Sequence, residues 1–550
     1  MSKLQPMLFT TVKNYSKKLF FSDLIAGIIV SIIALPLSIA LAISSGVSPE
    51  QGLYTAIIAG FVISFLGGSR VQIGGPTGAF MLIVFGIVAE FGINGLITAT
   101  IMGGIILMLF GLCKLGSIIK FIPYPITTGF TSGIAITIFS SQIKDLFGLN
   151  ISEVPVEFIG KWKTYFLAFN TINYEAVLIG VVALIIIIIW PKVNRKIPGT
   201  LIAIIITTLI VSIFSLDVDT IGSKFGNLSS SLPKPKLPSF SFATIRMLIG
   251  PAFTIAILGG VESLLSAVVS DGMIGSKHRS NMELVAQGAA NVASGVFGGI
   301  PATGAIARTV SNINSGGRTP VSGIVHALSL LVILVTLMPL AKLIPLATLA
   351  SVLVVVAYNM SSWREFKELF KAPKSDVFVL LITFTITVLI DLVVAIELGM
   401  VLAAILFMKR MSDVSYIKEK SLDATEDDQK DVETHINAPK GVQIYEINGP
   451  FFFGAADKFM ETIYNVSKPT KIIIIRMRYV PAMDATALIA FKRFIKMCRG
   501  RNLTILISGI NEQPLTVLRK ANLYEEIGCE HFFISIGEAI CEACQLLEDK

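Results

Sequence analysis

Uncharged apolar runs recur along the chain from about position 22 to position 410 and then stop. Segments such as 24–48 and 197–216 carry no charged residue. Such runs match the roughly 20 residues that cross a bilayer as a helix. The pattern predicts spans near 22–43, 51–67, 75–91, 93–113, 120–141, 174–191 and 197–215. A second series follows near 246–270, 281–298, 302–313, 319–339, 343–359, 375–391 and 392–408. That is seven plus seven, and an odd number per half inverts the halves relative to each other.

After position 410 the periodicity changes. Residues 411–438 are polar, with an acidic middle (Glu426, Asp427, Asp428, Asp431, Glu433), and predict a mobile linker. From 439 to 550 short β-branched runs alternate with amphipathic ones. Strands are expected at 442–447, 451–453, 472–477, 503–508 and 532–534, and helices at 455–466, 485–499, 514–521 and 537–547. This alternation predicts a soluble α/β domain with helices covering a sheet. The expected division is therefore a short N-terminal segment (1–21), a membrane domain (22–410), a linker and the α/β domain.

Composition supports this division. The chain of 550 residues is 53% hydrophobic and 15% charged, with a mean hydropathy of +0.76, which excludes a soluble protein as a whole. The first twenty residues carry Lys3, Lys13, Lys17 and Lys18 and lack a signal-peptide apolar core, so no cleavable signal is expected. Fourteen spans place both termini in the cytoplasm of an inner or plasma membrane. Arg70, Lys114, Lys120, Lys192, Arg195, Lys196, Lys277, Arg279, Arg318, Arg364, Lys367, Lys371 and Lys374 then fall in inner loops, as the positive-inside rule requires. The loops 142–173 and 216–245 fall outside and are nearly neutral. The net charge of +8 thus reads as membrane topology, and no nucleic-acid partner is expected. Five cysteines in a chain this long suggest no disulfide framework.

Two short stretches look like copies. Gly75-Pro76-Thr77-Gly78-Ala79-Phe80 has a counterpart in Pro301-Ala302-Thr303-Gly304-Ala305-Ile306, with Gly304 lying 226 positions after Gly78. Each opens the third span of its series. A Gly/Pro-interrupted apolar segment at matching places in two halves points to a transporter's binding site. A helix that starts inside the membrane leaves its first N–H groups unpaired and carries partial positive charge there. Two such starts face to face would cradle an anion with backbone alone. Candidate substrate-binding residues are Pro76, Thr77, Gly78, Ala79, Phe80, Thr303, Gly304, Ala305, Ile306 and Arg308. The competing reading is that the glycines only permit tight helix packing.

Arg308 lies about one turn into the second half-helix, where it either draws the anion in or snorkels to the membrane surface. Glu262 is the outstanding acid, alone in a span uncharged from Arg246 to Asp271. It is the candidate proton-coupling group, or else a structural partner of Arg308 or a lysine. Ser266, one turn from Glu262, and Tyr54 are possible site-lining residues. Gln287 and Asn291, four apart on one helix face, either line the site or bond between helices. In the soluble domain Thr486 opens a helix after Asp484 and is a possible phosphorylation position, against an ordinary capping turn. Cys529, His531, Cys541 and Cys544 have ligand-like spacing, but buried cysteines on a helix explain the last two better. No metal, cofactor or enzymatic activity is expected.

The chain resembles the sulfate permease family, bacterial relatives of the animal solute carrier 26 anion transporters. The resemblance rests on Asp23-Leu24-Ile25-Ala26-Gly27 with Pro36, on Gly46-Val47-Ser48-Pro49-Glu50-Gln51-Gly52-Leu53-Tyr54, and on Gly129-Phe130-Thr131-Ser132-Gly133. Gly74 through Phe80 and Gly299 through Thr309 also carry it. The C-terminal part is similar to the domain shared by sulfate transporters and anti-sigma factor antagonists (STAS), through Gly449-Pro450-Phe451-Phe452-Phe453-Gly454 and Val480-Pro481-Ala482-Met483-Asp484-Ala485-Thr486. In such antagonists a phosphorylated hydroxyl falls where Thr486 stands.

The resemblance implies a polytopic α-helical fold of two inverted seven-helix repeats followed by a cytoplasmic STAS domain. A core (spans 1–4 and 8–11) would carry the anion and move like an elevator against a gate (spans 5–7 and 12–14), which makes a homodimer. The implied function is secondary active transport of sulfate, bicarbonate, chloride or a dicarboxylate. Where the sodium-coupled bicarbonate branch has Asp, Gly and a hydroxyl, this chain has Glu262, Ala302 and Ile306. Ile306 offers no oxygen to sodium, so proton symport or anion exchange is favoured. A nucleobase permease of the same fold, an anion channel and a membrane-anchored STAS regulator with vestigial transport are the alternatives. The STAS domain implies a possible cytoplasmic protein partner.

Overall fold

The computed structural model describes residues 4–117, 123–151, 153–194, 197–226, 229–231, 234–235, 238, 242–390, 392–419, 439–464 and 470–548. They fall into two compact units, Met1–Met400 and Val401–Lys550.

The first unit is helical. Its first half comprises α1 (Leu8–Thr11), α2 (Lys17–Ser44), α3 (Pro49–Leu66), a two-residue strand β1 (Gly74–Gly75), α4 (Met81–Leu112), α5 (Tyr124–Phe147), α6 (Phe158–Leu167), α7 (Tyr174–Val193) and α8 (Gly199–Phe214). After the short α9 (Ile221–Phe225) come α10 (Phe242–Ile274), α11 (Ser280–Val296), β2 (Thr303–Gly304), α12 (Ile306–Asn314), α13 (Val321–Ala341), α14 (Leu346–Met360), α15 (Trp363–Leu369) and α16 (Lys374–Leu389). The boundary between the units falls within α17 (Leu392–Val414). Each predicted span coincides with a helix. The third and fourth share α4, which bends where Gly92 takes φ 66°; glycine alone adopts that conformation without strain.

By length and composition, seven helices among the described residues are apolar enough to cross a membrane. The nine-residue α12 is a half-length helix. α13 shows how these helices meet lipid: Leu328, Val332 and Val335 lie exposed along one face, while His326, Leu330 and Leu334 are buried on the other. An exposed apolar stripe at helical spacing is stable only against hydrocarbon.

Packing sorts the unit into two groups. Helices α2, α3, α4, α10, α11, α12 and α13 pack on one another, and α5, α7, α8, α14 and α16 on one another. Small residues allow the closest approaches. A Cβ on Gly104 of α4 would stand 2.6 Å from the Gly288 carbonyl of α11, and one on Gly288 would meet the Gly104 carbonyl. Backbones this close are how membrane helices associate without a hydrophobic driving force. Asp23 of α2 is fully buried and accepts from the Arg318 and Thr319 amides ahead of α13. The segment 142–173, expected as a loop, contains α6. Its ten residues, interrupted by Lys161 and Lys163, are too short and too charged to register as a span, and Trp162 anchors it by donating to Ser140 Oγ at 3.1 Å.

The second unit holds β3 (Tyr416–Glu419), β4 (Val442–Asn448), α18 (Phe453–Tyr464), β5 (Ile472–Tyr479), α19 (Ala485–Gly500), β6 (Thr504–Ser508), α20 (Glu512–Lys520), α21 (Leu523–Ile527), β7 (Phe532–Phe533) and α22 (Ile536–Glu548). The sheet runs in the order β3-β4-β5-β6-β7, with β3 antiparallel and the rest parallel. Ile472 to Ile475 are all buried, as expected of a strand covered on both faces.

Three expectations are corrected. Phe451–Phe453 is not a strand: Phe451 makes one bridge to Met483, and α18 begins at Phe453 because Asp484 accepts its amide. The expected linker starts late, since α17 runs to Val414 and Tyr416–Glu419 pairs with β4; its remainder, 420–438 with the acidic residues, lies outside the described residues. Cys541 is exposed, not buried, because α22 turns Ala539 and Ala543 inward instead.

Candidate functional site

The two copied motifs meet. Gly74 and Gly75 pair antiparallel with Gly304 and Thr303, forming a two-residue ladder between the halves of the membrane unit. The Ala305 amide donates to Ile73 O at 2.9 Å and extends the ladder by one bond. Thr309 Oγ1 accepts from the Ile73 amide at 3.1 Å. These bonds satisfy backbone groups that a membrane interior would otherwise leave stranded.

A helix leaves the ladder on each side. Thr77 is extended, and the turn Gly78–Phe80 runs from it into α4. Ala305 is extended, and α12 starts at Ile306. The first-turn amides of each helix have no acceptor within it, so a partially positive end lies just beyond each strand of the ladder. Glycine is required at Gly75, where φ is +152° and a Cβ would collide with Arg308 Nη1. At Gly304 a Cβ would collide with the Gln72 amide.

Glu262 comes to this region from α10. Thr77 Oγ1 donates to Glu262 Oε2 at 2.9 Å, and Glu262 itself is half-buried. Arg308 is buried at 1% exposure and donates through Nη2 to the Pro76 carbonyl. It does not snorkel. It reaches back across the ladder and holds the first motif in place, so each half of the repeat supports the other. Among the described residues Arg308 and Glu262 form no ion pair; each bonds to the first motif instead.

The remaining candidates separate by role. Thr303 is fully buried and donates to Gly259 O at 2.9 Å, fixing the ladder to α10. Phe80 is buried, and its ring stands 3.5 Å from the Cβ position of Gly259. Gly78 faces the second helix group, since a Cβ there would meet Ile138 of α5 at 2.6 Å and Met360 of α14 at 3.4 Å. Ile306 is exposed at the start of α12, while Ala305 beside it is buried.

Asn291 holds the peptide of Ala302 at both ends, donating to its carbonyl and accepting from its amide at 2.8 Å. Gln287 donates to Glu283 at 2.8 Å, and Glu283 accepts from the Gly68 and Ser69 amides. Both therefore act as framework. Ser266 donates to Thr309 Oγ1 at 3.4 Å, behind the ladder. Tyr54 donates to Ser231 O at 3.3 Å, so its hydroxyl is engaged by the loop 216–245. In the second unit Thr486 is exposed, and the cap of α19 is Asp484, which accepts from the Ala487 amide at 2.8 Å.

Two buried residues near the ladder escaped the sequence reading, Gln72 and His326, and Thr309 entered it only as the end of the segment 299–309. Histidine in an apolar span was the available signal for His326. Gln72 and Thr309 flank the motifs without belonging to the repeat.

Similarity to known proteins extends over most of the chain. The sulfate permease family matches residues 20–383, and the STAS domain matches residues 433–539. A Bacillus subtilis (strain 168) protein named "Putative sulfate transporter YvdB" is 42% identical over 527 residues, covering 95% of this chain and 97% of that one. The "Bicarbonate transporter BicA" of Picosynechococcus sp. (strain ATCC 27264 / PCC 7002 / PR-6) is 30% identical over 540 residues, covering 95% and 94%. Among solved structures, the transmembrane domain of a cyanobacterial BicA has a TM-score of 0.62 at 29% identity, covering 71% of this chain and 98% of that one. SLC26A9 has a TM-score of 0.87 at 17% identity, covering 98% and 93%, a likeness of fold.

Proposed function

Since this chain belongs to the sulfate permease family and carries a STAS domain, we propose that it is a proton-coupled symporter or exchanger of small anions of the sulfate or bicarbonate class. It is a multi-pass membrane protein of an anion-transporting family. The observation that carries the finer reading is the ladder Gly74–Gly75 with Thr303–Gly304, which sets a half-helix start just beyond each of its strands while Thr77 bonds Glu262 beside it.

An oxyanion there accepts from the first-turn amides after Thr77 and Ala305, with the buried charge of Arg308 behind them. Phe80 and Ile306 shape the apolar wall. Glu262 carries the coupled proton: protonated, it removes a negative charge from beside the anion. Ile306 and Ala302 supply no side-chain oxygen, which supports protons over sodium as the coupling ion. The packing group that holds the ladder (α2–α4, α10–α13) is the moving core, and the other is the gate through which two copies associate. The protein resides in the plasma membrane with both termini inside. The STAS domain receives a cytoplasmic protein signal, with Thr486 exposed for modification.

The test is uptake into proteoliposomes of labelled sulfate, bicarbonate, chloride and fumarate, each with and without proton and sodium gradients. Uptake of one anion driven by an inward proton gradient is expected. Uptake driven only by sodium overturns the coupling, and uptake of none overturns the reading.

A further inference from the structure

Behind the ladder lies a set of polar atoms to which the proposed transport cycle assigns no role. Arg308 Nε and Nη1, both polar atoms of the Gln72 amide and both ring nitrogens of His326 are buried and have no hydrogen-bond partner. The three residues are 1%, 4% and 0% exposed. Gln72 and Arg308 abut the ladder directly, and His326 lies beside Gly60, which backs onto it. The Gln72 amide lies against Gly304, Arg308 Nη1 lies against Gly75, and a Cβ on Gly60 would stand 3.2 Å from Gly74 O and 3.7 Å from His326 Nδ1. His326 and Arg308 thus lie beside the adjacent ladder residues Gly74 and Gly75. His326 sits on the buried face of α13, away from the lipid-facing Leu328, Val332 and Val335.

Six buried polar atoms around one ladder are too costly to leave dry inside a membrane. Their chemistry is complementary. The guanidinium only donates, whereas the Gln72 carbonyl and the unprotonated nitrogen of a neutral imidazole accept. Water bridging such groups needs two to four polar partners, and six atoms supply them.

We propose that Gln72, His326 and Arg308 enclose a hydrated chamber behind the ladder, in which His326 is a positioning residue that holds the Arg308 guanidinium through bridging water. This rests on the anion-site reading above. His326 touches no anion; it acts by fixing the cation that braces Pro76 and charges the site. An imidazole that only filled space would be replaceable by an apolar side chain without loss.

The test measures concentration-dependent uptake, in proteoliposomes, of whichever of sulfate, bicarbonate, chloride and fumarate wild type takes up fastest. Thermal unfolding of the full chain is followed with and without that anion. His326→Leu is expected to raise the half-saturating concentration about tenfold, the weight of one hydrogen bond to a charged group. Its unfolding temperature without anion should stay the same or rise, and its anion-dependent rise should shrink. His326→Gln keeps an acceptor and should restore affinity to within about threefold of wild type. Gln72→Met removes the amide from the other wall and should weaken affinity in the same direction, whether or not His326→Leu accumulates. Wild-type affinity in His326→Leu and Gln72→Met, or equal losses in His326→Leu and His326→Gln, overturns the proposal. Failure of wild type itself to take up any of these anions counts against the transport reading instead.

Discussion

Thr77 and Glu262, 185 residues apart in sequence, are joined by a 2.9 Å hydrogen bond from the threonine hydroxyl to the carboxylate. The bond links the last extended residue before the first half-helix to the acid proposed to carry the proton. Protonation of Glu262 would therefore change the partner of the residue that opens the proposed anion site. Coupling needs no long-range relay in this geometry. Glu262→Gln is expected to abolish stimulation of uptake by a proton gradient while leaving anion-for-anion exchange in counterflow within about threefold of wild type, since Gln still accepts from Thr77. Thr77→Val keeps shape and deletes the donor. Its initial uptake rate should fall about tenfold, the weight of a hydrogen bond to a charged acceptor.

Arg308 makes a second prediction, in which size and charge are separated. Arg308→Lys keeps the charge but loses the planar fork. Its ammonium is expected to hold Pro76 less well, raising the half-saturating anion concentration about tenfold. Arg308→Ala removes charge and bond together and should cost about a hundredfold or more. Equal effects of the two variants in concentration-dependent uptake would show that charge contributes nothing.

The steric demand at Gly304 is testable as a pair. Gly304→Ala drives a methyl into the Gln72 amide. Overpacking of this kind costs about 1–3 kcal/mol, and the apparent unfolding midpoint should drop accordingly. Gln72→Ala in the same chain vacates the space, so the double variant should unfold later than Gly304→Ala alone. A double-mutant cycle with no interaction between the two positions would refute the contact.

Asn291 predicts a stability loss rather than a direct loss of binding chemistry. Asn291→Leu strands both polar groups of the Ala302 peptide. Two buried groups at about 1–3 kcal/mol each make this one of the costlier single changes in the membrane unit. Thermal unfolding in detergent should register it even without any anion. In the soluble unit, Asp484→Ala deletes the cap of α19 and costs about 1 kcal/mol. Hydrogen exchange in the full chain should quicken about fivefold at the first turn of α19.

Much of this architecture was legible in the residue pattern. Uncharged runs marked the helices because hydrocarbon permits little else, and the Gly/Pro breaks marked the half-helices because a continuous helix would tolerate neither residue well. The bend at Gly92 fell where the third and fourth spans were divided. The ladder was not legible. Its bonds join Gly74 to Gly304, and no local preference specifies a partner at that distance. For the same reason Gln287 and Asn291 could be placed on one face but not assigned between lining and framework until their acceptors were seen. Gln72 and His326 carry no repeat, and only their placement beside the folded ladder singles them out. In the soluble unit, Phe451–Phe453 has strand-like composition, but the bond from the Phe453 amide to Asp484 starts a helix there.

The ladder also bears on how the chain is made. Gly74 and Gly75 find their partners only when Thr303 and Gly304 have been synthesised and inserted. Until then the first half sits in the bilayer with an open backbone and a helix that begins in mid-membrane. Biogenesis must shelter that incomplete half, from a neighbouring helix, water or the insertion machinery, for the time it takes to translate more than two hundred further residues. A substitution that leaves the finished protein sound but slows delivery of the second half would then show its effect as lost yield in the membrane, with normal transport by the molecules that survive.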